Sequence, residues 1–142
     1  MSALIDVNVL VALMHERHRH SRNAVAWLED ATERRAIGIC RVVQMGTLRI
    51  LTNPTIMKED TLTATKFWRG WDRVVADDRF GPVAEPSAFE VVWRSLTSAL
   101  PRGSTAGTDA YLAAFAIAGR HRLSTFDLGF RRFPELDLEI LA

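Results

Sequence analysis

The chain has 142 residues, 48% of them hydrophobic, so it can bury the core of one domain, which we expect to span residues 1–142. Its 18 basic and 17 acidic residues nearly cancel, giving a formal net charge of +1, which excludes a molecule-wide basic surface for a polyanion. The single cysteine, Cys40, excludes an internal disulfide framework and a cysteine-rich zinc site. No apolar run approaches the roughly 18 residues of a membrane span. We therefore expect a cytoplasmic protein without membrane contact.

Strand-like and helix-like patterns alternate along the chain. Short apolar runs predict strands at residues 3–7, 36–40, 80–84, 122–127 and 137–142, the last at a sheet edge. Helical spacing of apolar residues predicts helices at residues 8–14, 21–35, 41–51, 57–78, 87–100 and 108–120. Asn8 and Ser21 are expected to cap the first two of these helices, and Gly119 to end the last. This alternation predicts an α/β sandwich with a mostly parallel central sheet.

Three aspartates are placed where such a sheet gathers functional groups. Asp6 and Asp127 each lie at the end of a predicted inner strand, and the carboxyl ends of parallel strands border the crevice of an open sheet. Asp109 begins a predicted helix and can point its carboxylate at the same edge. Three converging carboxylates repel one another unless a cation neutralises them, and Mg²⁺ or Mn²⁺ prefers oxygen ligands. The pattern therefore favours a metal site.

Each acid also has a plain structural interpretation. Asp109 would serve equally as a helix N-cap, and Asp127 as a turn residue before Gly129. Asp6 is harder to explain in this way, because a charge inside an apolar strand is costly to bury without a partner or a metal.

Three motifs that contain these acids resemble those of PIN-domain ribonucleases, specifically the VapC-type toxins of toxin–antitoxin pairs. The motifs are LIDVNVL, TDAYLAAFA and LSTFDLGF. The resemblance extends over essentially the whole chain and implies a PIN-like α/β/α sandwich. It also implies that the three acids hold Mg²⁺ or Mn²⁺, that Asn8 supports Asp6, and that Thr125 belongs to the surroundings of Asp127.

The same resemblance implies an endoribonuclease that hydrolyses RNA phosphodiesters with a metal-activated water and without a covalent nucleophile. The expected partners are an RNA substrate, a VapB-like antitoxin segment lying across the crevice, and a second copy of the chain in a homodimer. Arg131, Arg132 and the arginines of GRHRL are candidates for binding the flanking phosphates. His15, His18 and His20 fall in a connecting segment and are not expected to bind zinc.

Gln44 departs from the PIN pattern, because most members carry a glutamate at this position. A neutral amide can bind a metal or its water, but it removes one negative charge and should weaken cation binding. Two interpretations stay open. The chain is an active enzyme, which binds either a single metal or a metal whose coordination shell is completed by the RNA phosphate. Alternatively, it is a degenerate PIN domain that serves as an antitoxin-binding module. A phosphotransferase of the haloacid-dehalogenase type would need Asp-x-Asp, whereas Asn8 occupies the second position.

Overall fold

A central sheet of five parallel strands organises the computed structural model, which describes residues 2–142. Their spatial order is β3-β2-β1-β4-β5, and the central strand β1 pairs on both sides, Leu4 lying opposite Gly38 and Leu123. The strands are β1 (Ala3–Ile5), β2 (Ile37–Cys40), β3 (Phe80–Val83), β4 (Arg122–Thr125) and β5 (Leu138–Ile140). The predicted α/β fold with a parallel central sheet is confirmed.

Helices connect the strands and flank the sheet. The α-helices are α1 (Val7–Met14), α2 (Ser21–Glu29), α3 (Arg41–Leu51), α4 (Pro54–Met57), α5 (Ala64–Ala76), α6 (Phe89–Ser98) and α7 (Gly107–Gly119). Short 3₁₀ helices cover Lys58–Asp60 and Leu128–Arg132. Helix α1 packs against α2 and α3, α3 against α5, and α6 against α7. No helix of residues 2–142 is long and apolar enough to cross a bilayer.

Two hydrophobic clusters hold these layers together. The larger one joins the inner strands to α1, α3 and α7, and it contains the completely buried Leu4, Ile5 and Leu123. The smaller one fills the space between α1, α3 and α5 and is centred on Phe67, whose side chain is completely buried. The inner strands read as continuous apolar runs because they are covered on both faces.

The first strand is shorter than predicted. It ends at Ile5 and not at Val7, which is already helical. The N-cap of α1 is Asp6, whose Oδ1 accepts a hydrogen bond of 2.7 Å from the Val7 amide, whereas Asn8 lies in the first turn. The prediction that Asn8 caps this helix is therefore wrong, and the early helix start brings both polar side chains to the same end of the sheet.

Three other boundaries differ for local reasons. The helix predicted over residues 57–78 is interrupted, because Thr63 caps a new helix by accepting a 3.2 Å hydrogen bond from the Lys66 amide. Helix α2 ends at Glu29, and Arg35 adopts a positive φ of 55° in the following loop. At the end of α7, Arg120 and not Gly119 takes the left-handed conformation, with φ 57°.

Leu123→Ala tests the importance of the central strands for stability. The Leu123 side chain is completely buried in β4, so its truncation is expected to lower the free energy of unfolding by about 2–5 kcal/mol. Leu128→Ala is the matched control, since that side chain is 54% exposed and its loss should change stability by no more than about 0.5 kcal/mol. Equal losses for the two variants in equilibrium urea unfolding would contradict this arrangement of the core.

Candidate active site

The order of the strands creates a crevice beside β1. The chain moves from β1 to β2 and β3 on one side, and later returns to place β4 on the other side. Ligands of open parallel sheets bind where the direction of strand addition reverses, outside the carboxyl ends of the strands. Asp6 follows β1 directly and Asp127 follows the last residue of β4 by two positions. Both acids therefore border this crevice, as the sequence predicted.

The side chain of Thr125 joins the two strand ends. Its Oγ1 donates a hydrogen bond of 2.7 Å to Asp6 Oδ2 and accepts one of 3.0 Å from the Asp127 amide. Thr125 is completely buried although it is polar. One hydroxyl thus holds the Asp6 carboxylate and the backbone of Asp127 in a fixed relation.

Asn8 holds the next peptide of the same loop. Its Oδ1 accepts a hydrogen bond of 3.2 Å from the Phe126 amide, and its Nδ2 lies 3.3 Å from Thr125 Oγ1. The ring of Phe126 stacks on His20, with 4.2 Å between the ring centroids and 10° between the planes. Asn8 therefore supports the loop that carries Asp127. The stacking of His20 on Phe126 supports the same loop, and the sequence analysis did not predict this contact.

Burial and mutual repulsion act on the carboxylates. Burial is the main factor that raises the pKa of Asp6, opposed by its hydrogen bonds from Thr125 and Val7 and reinforced by the charges of Asp109 and Asp127. Burial and then the charge of Asp127 raise the pKa of Asp109. The three acids lie near enough to sense one another's charge, which makes this edge attractive to a cation.

Of the two acids that could act only as helix caps or turn residues, Asp127 has such a role and Asp109 does not. Asp109 is not the N-cap of α7, because that position is Ala106, and Asp109 lies in the first turn. Asp127 does cap the 3₁₀ helix that follows it, since its Oδ1 accepts a 2.8 Å hydrogen bond from Gly129. That bond leaves the second carboxylate oxygen of Asp127 for other partners.

Gln44 is bound to an arginine on its own helix. Its side chain is only 7% exposed, and its Oε1 accepts a hydrogen bond from the guanidinium of Arg41, one turn earlier on α3. It makes no hydrogen bond to any of the three aspartates. The sequence signal for this pair is the i, i+3 spacing, which places both side chains on one face of a helix.

Arginines lie near both ends of the parallel strands. The charge of Arg132 lowers the pKa of Asp109, partly offsetting the effect of burial, so Arg132 is near the acids. Arg122 instead begins β4 and pairs with Asp137 at 3.3 Å. It therefore lies at the amino-terminal ends of the strands, opposite to the acids. The expectation that the GRHRL segment borders the acidic crevice is therefore wrong.

Other candidate groups serve structural roles. Burial, together with the positive charges of His20, His15 and Arg19, lowers the pKa of His18, which disfavours a charged histidine cluster. Cys40 is buried at the end of β2, and burial raises the pKa of its thiol. A buried thiol of raised pKa is a poor nucleophile, and within residues 2–142 these histidines do not belong to any group of three His, Cys, Asp or Glu side chains that could hold a metal ion.

The donor set of the crevice suits a hard cation. All its candidate ligands are carboxylate or amide oxygens, which Mg²⁺ and Mn²⁺ prefer. Within residues 2–142, however, no three His, Cys, Asp or Glu side chains are arranged closely enough to enclose an ion by themselves. The acids are gathered at one edge, and the remaining ligands of a cation would have to be water or substrate.

Comparisons with known proteins agree with this architecture. The family model for the PIN domain matches residues 3–136. Ribonuclease VapC41 of Mycobacterium tuberculosis is 34% identical over 143 residues, which cover 98% of both chains. The structure of VapBC2 from Rickettsia felis, bound to a DNA fragment from its promoter, matches at 18% identity with a TM-score of 0.69 over 100% of both chains. M. tuberculosis VapC20, a sarcin-ricin loop cleaving toxin, matches at 13% identity with a TM-score of 0.68, over 96% of this chain and 98% of the other.

Thr125→Val tests the hydroxyl that joins the strand ends. The change leaves the Asp127 amide without its acceptor and Asp6 Oδ2 without its donor, while Asp6 Oδ1 keeps its bond from the Val7 amide, so we expect a loss of about 1–3 kcal/mol in unfolding free energy. Thr47→Val is the matched control: it is equally buried, but its hydroxyl donates only to the Val43 carbonyl of the preceding helical turn. Removing that bond should cost well under about 1 kcal/mol. Equal losses in urea unfolding would show that the Thr125 hydroxyl has no special role.

Proposed function

This chain belongs to the PIN-domain family, and within it to the VapC-type ribonuclease toxins, and we propose that it hydrolyses RNA phosphodiesters with a divalent cation held by Asp6, Asp109 and Asp127. The observation that carries the proposal is the arrangement at the switch point of the sheet. The Asp6 carboxylate and the backbone of Asp127 bond the same buried hydroxyl of Thr125 there, and the charge of Asp109 contributes to the raised pKa of Asp6. Such a group of acids is costly for stability alone and suits a cation-dependent reaction.

The three aspartates are the proposed ligands of Mg²⁺ or Mn²⁺. Their oxygens satisfy the preference of these ions, and their mutual repulsion would be relieved by a positive charge. A cation bound there supplies Lewis-acid activation of the phosphodiester and of the attacking water. The reaction requires no nucleophile from the protein, and the buried thiol of Cys40 offers none.

The other residues of the site position these ligands. The Thr125 hydroxyl holds Asp6 in one orientation, and the Asn8 carbonyl holds the Phe126 amide next to Asp127. Supporting partners of this kind commonly decide how well a metal is bound. The charge of Arg132 lowers the pKa of Asp109, and we propose that this arginine binds a phosphate next to the scissile one.

The proposed partners are an RNA substrate, an antitoxin of the VapB type and a second copy of the chain. The antitoxin is supported by structural neighbours that are themselves toxin–antitoxin complexes, such as VapBC2 of Rickettsia felis and a complex from Klebsiella pneumoniae. An acidic crevice would accept a basic side chain of such an antitoxin. This activity is proposed to act in the cytoplasm, where RNA substrates occur, from one domain that spans residues 1–142.

The alternative, a catalytically silent PIN domain that only binds an antitoxin, is favoured by one observation. Gln44 carries no charge and is engaged by Arg41 and not by the acids. The site would then bind a cation weakly. Activity on RNA therefore decides between the two functions.

Asp6→Asn tests the nuclease directly. The variant keeps the shape of the side chain but removes its charge, and cutting of a structured RNA in Mg²⁺ or Mn²⁺ should fall by more than about 100-fold, since even outer-shell partners of metals cost 10- to 100-fold. Asp72→Asn on the exposed surface of α5 is the matched control and should cut like the wild type. If the wild type and Asp6→Asn show the same residual cutting, the nuclease proposal fails.

Gln44→Glu tests whether this position faces the metal. The added charge should make the protein bind Mn²⁺ more tightly in a calorimetric titration without RNA. Because Arg41 would pair with the new carboxylate, the double variant Arg41→Gln, Gln44→Glu should show a larger gain. Unchanged affinity in both variants would mean that residue 44 does not contribute to cation binding.

A further inference from the structure

A cavity lies beside the acidic crevice at the same edge of the sheet. It has a volume of about 440 Å³ and opens between the carboxyl ends of β2 and β3 and helix α7. Its apolar walls include Ile39, Pro82 and Phe115, and its polar groups are Arg41, Gln44, Glu85 and Tyr111. None of the roles proposed above for the three aspartates uses this space.

The cavity is adjacent to the proposed site of cleavage. Strand β2 is the direct neighbour of β1, and the charge of Asp6 contributes to the raised pKa of Cys40, the residue that precedes Arg41. Neighbouring strands are about 4.8 Å apart, so the end of β2, which borders the cavity, lies about that far from the end of β1. Helix α7 borders both places, although Asp109 and Tyr111, two residues apart, project from different faces of it. A nucleotide next to the scissile phosphate could therefore reach the cavity.

One side of the cavity carries hydrogen-bond donors. Within residues 2–142, Gln44 makes a single side-chain hydrogen bond, through Oε1 to Arg41, and no side-chain nitrogen or oxygen that lacks a partner is fully buried. The Gln44 amide nitrogen therefore keeps some exposure, and Gln44 is one of the residues that line the cavity. The guanidinium of Arg41 has five N–H groups, and only one of them is directed at Gln44.

The other side carries an acceptor. The Tyr111 hydroxyl donates a hydrogen bond of 2.7 Å to Glu85 Oε2, which holds the carboxylate at the wall of the cavity. Glu85 keeps Oε1 and further lone pairs for another partner.

From this arrangement we infer that the cavity binds an unpaired guanine of the RNA beside the cleaved bond, an inference that rests on the proposed ribonuclease function. Proteins that read RNA sequence bind unpaired bases by their edges, against aromatic or apolar walls. Guanine offers two adjacent N–H donors, N1 and N2, to a carboxylate such as Glu85. It also offers acceptors, O6 and N7, to donors such as Arg41 and Gln44. The other bases lack this combination of two adjacent donors with two acceptors.

The test measures binding of fluorescent octaribonucleotides by anisotropy in Ca²⁺, with the integrity of the RNA checked by electrophoresis. The probes are all-uridine RNA and the same RNA with one central guanosine, inosine or adenosine. The wild type should bind the guanosine probe about tenfold more tightly than the others, since a bidentate contact gives about 5- to 150-fold discrimination. Inosine, which lacks the N2 amino group, should lose most of this gain.

Two variants should abolish the preference for guanosine. Glu85→Gln removes the carboxylate charge, and Arg41→Gln removes the guanidinium charge with its paired N–H donors. Both side chains are exposed, so neither change should prevent folding. The matched controls are Glu90→Gln and Arg94→Gln, which make the same charge changes in an exposed ion pair on α6 and should keep the preference.

The outcomes separate this inference from the proposed function. If the wild type cuts RNA but binds all four probes equally, or if Glu85→Gln keeps the preference for guanosine, the guanine site is wrong and the nuclease stands. If the preference follows Glu85 and Arg41 while no RNA is cut in Mg²⁺ or Mn²⁺, the guanine site stands and the nuclease proposal fails.

Discussion

The hydroxyl of Thr125 is the contact on which the candidate site depends. It lies between the ends of β1 and β4, the two central strands on either side of the crevice, and it bonds the Asp6 carboxylate as donor and the Asp127 amide as acceptor. A buried carboxylate without such a donor would be strongly disfavoured. The sheet pairing brings the strands together, and this hydroxyl fixes the Asp6 carboxylate relative to the backbone of Asp127.

Much of the fold follows from the sequence, because buried parallel strands leave a clear apolar pattern. The inner strands and the acids after them were predictable in this way, and so was helix α3. The exact end of β1 was not, since Val7 is apolar and suits either a strand or a buried helix. Only the hydrogen bond from the Val7 amide to Asp6 decides the boundary. The early start of α1 is what allows Asn8 to reach the Phe126 amide.

The site was predictable as a set of residues and less so as a set of contacts. Motif and spacing pointed to the three aspartates, Asn8 and Thr125, and the structure brings these side chains to one edge. The partner of Gln44 was not predictable, because a side chain on that face of α3 could point to the acids or to Arg41. The i, i+3 spacing on α3 allows the contact with Arg41, and the side-chain conformations in the folded protein decide for it. Arg122 begins the strand that Asp127 follows, so its place away from the acids already followed from the predicted strand at residues 122–127.

Because Gln44 is neutral, the charge of Arg41 at this edge is not compensated by its partner. A glutamate at position 44 would neutralise Arg41 by an ion pair, whereas the neutral amide only positions the guanidinium and leaves its charge in place. Relative to a four-acid site, this edge therefore attracts a free cation less and a phosphate more. Since the negative charge of RNA would compensate for the missing carboxylate, the proposed function implies that RNA and cation each strengthen the binding of the other. The same arginine lines the cavity beside the acids, so in the proposed function the glutamine that lowers the negative charge of the site also leaves Arg41 available to the substrate.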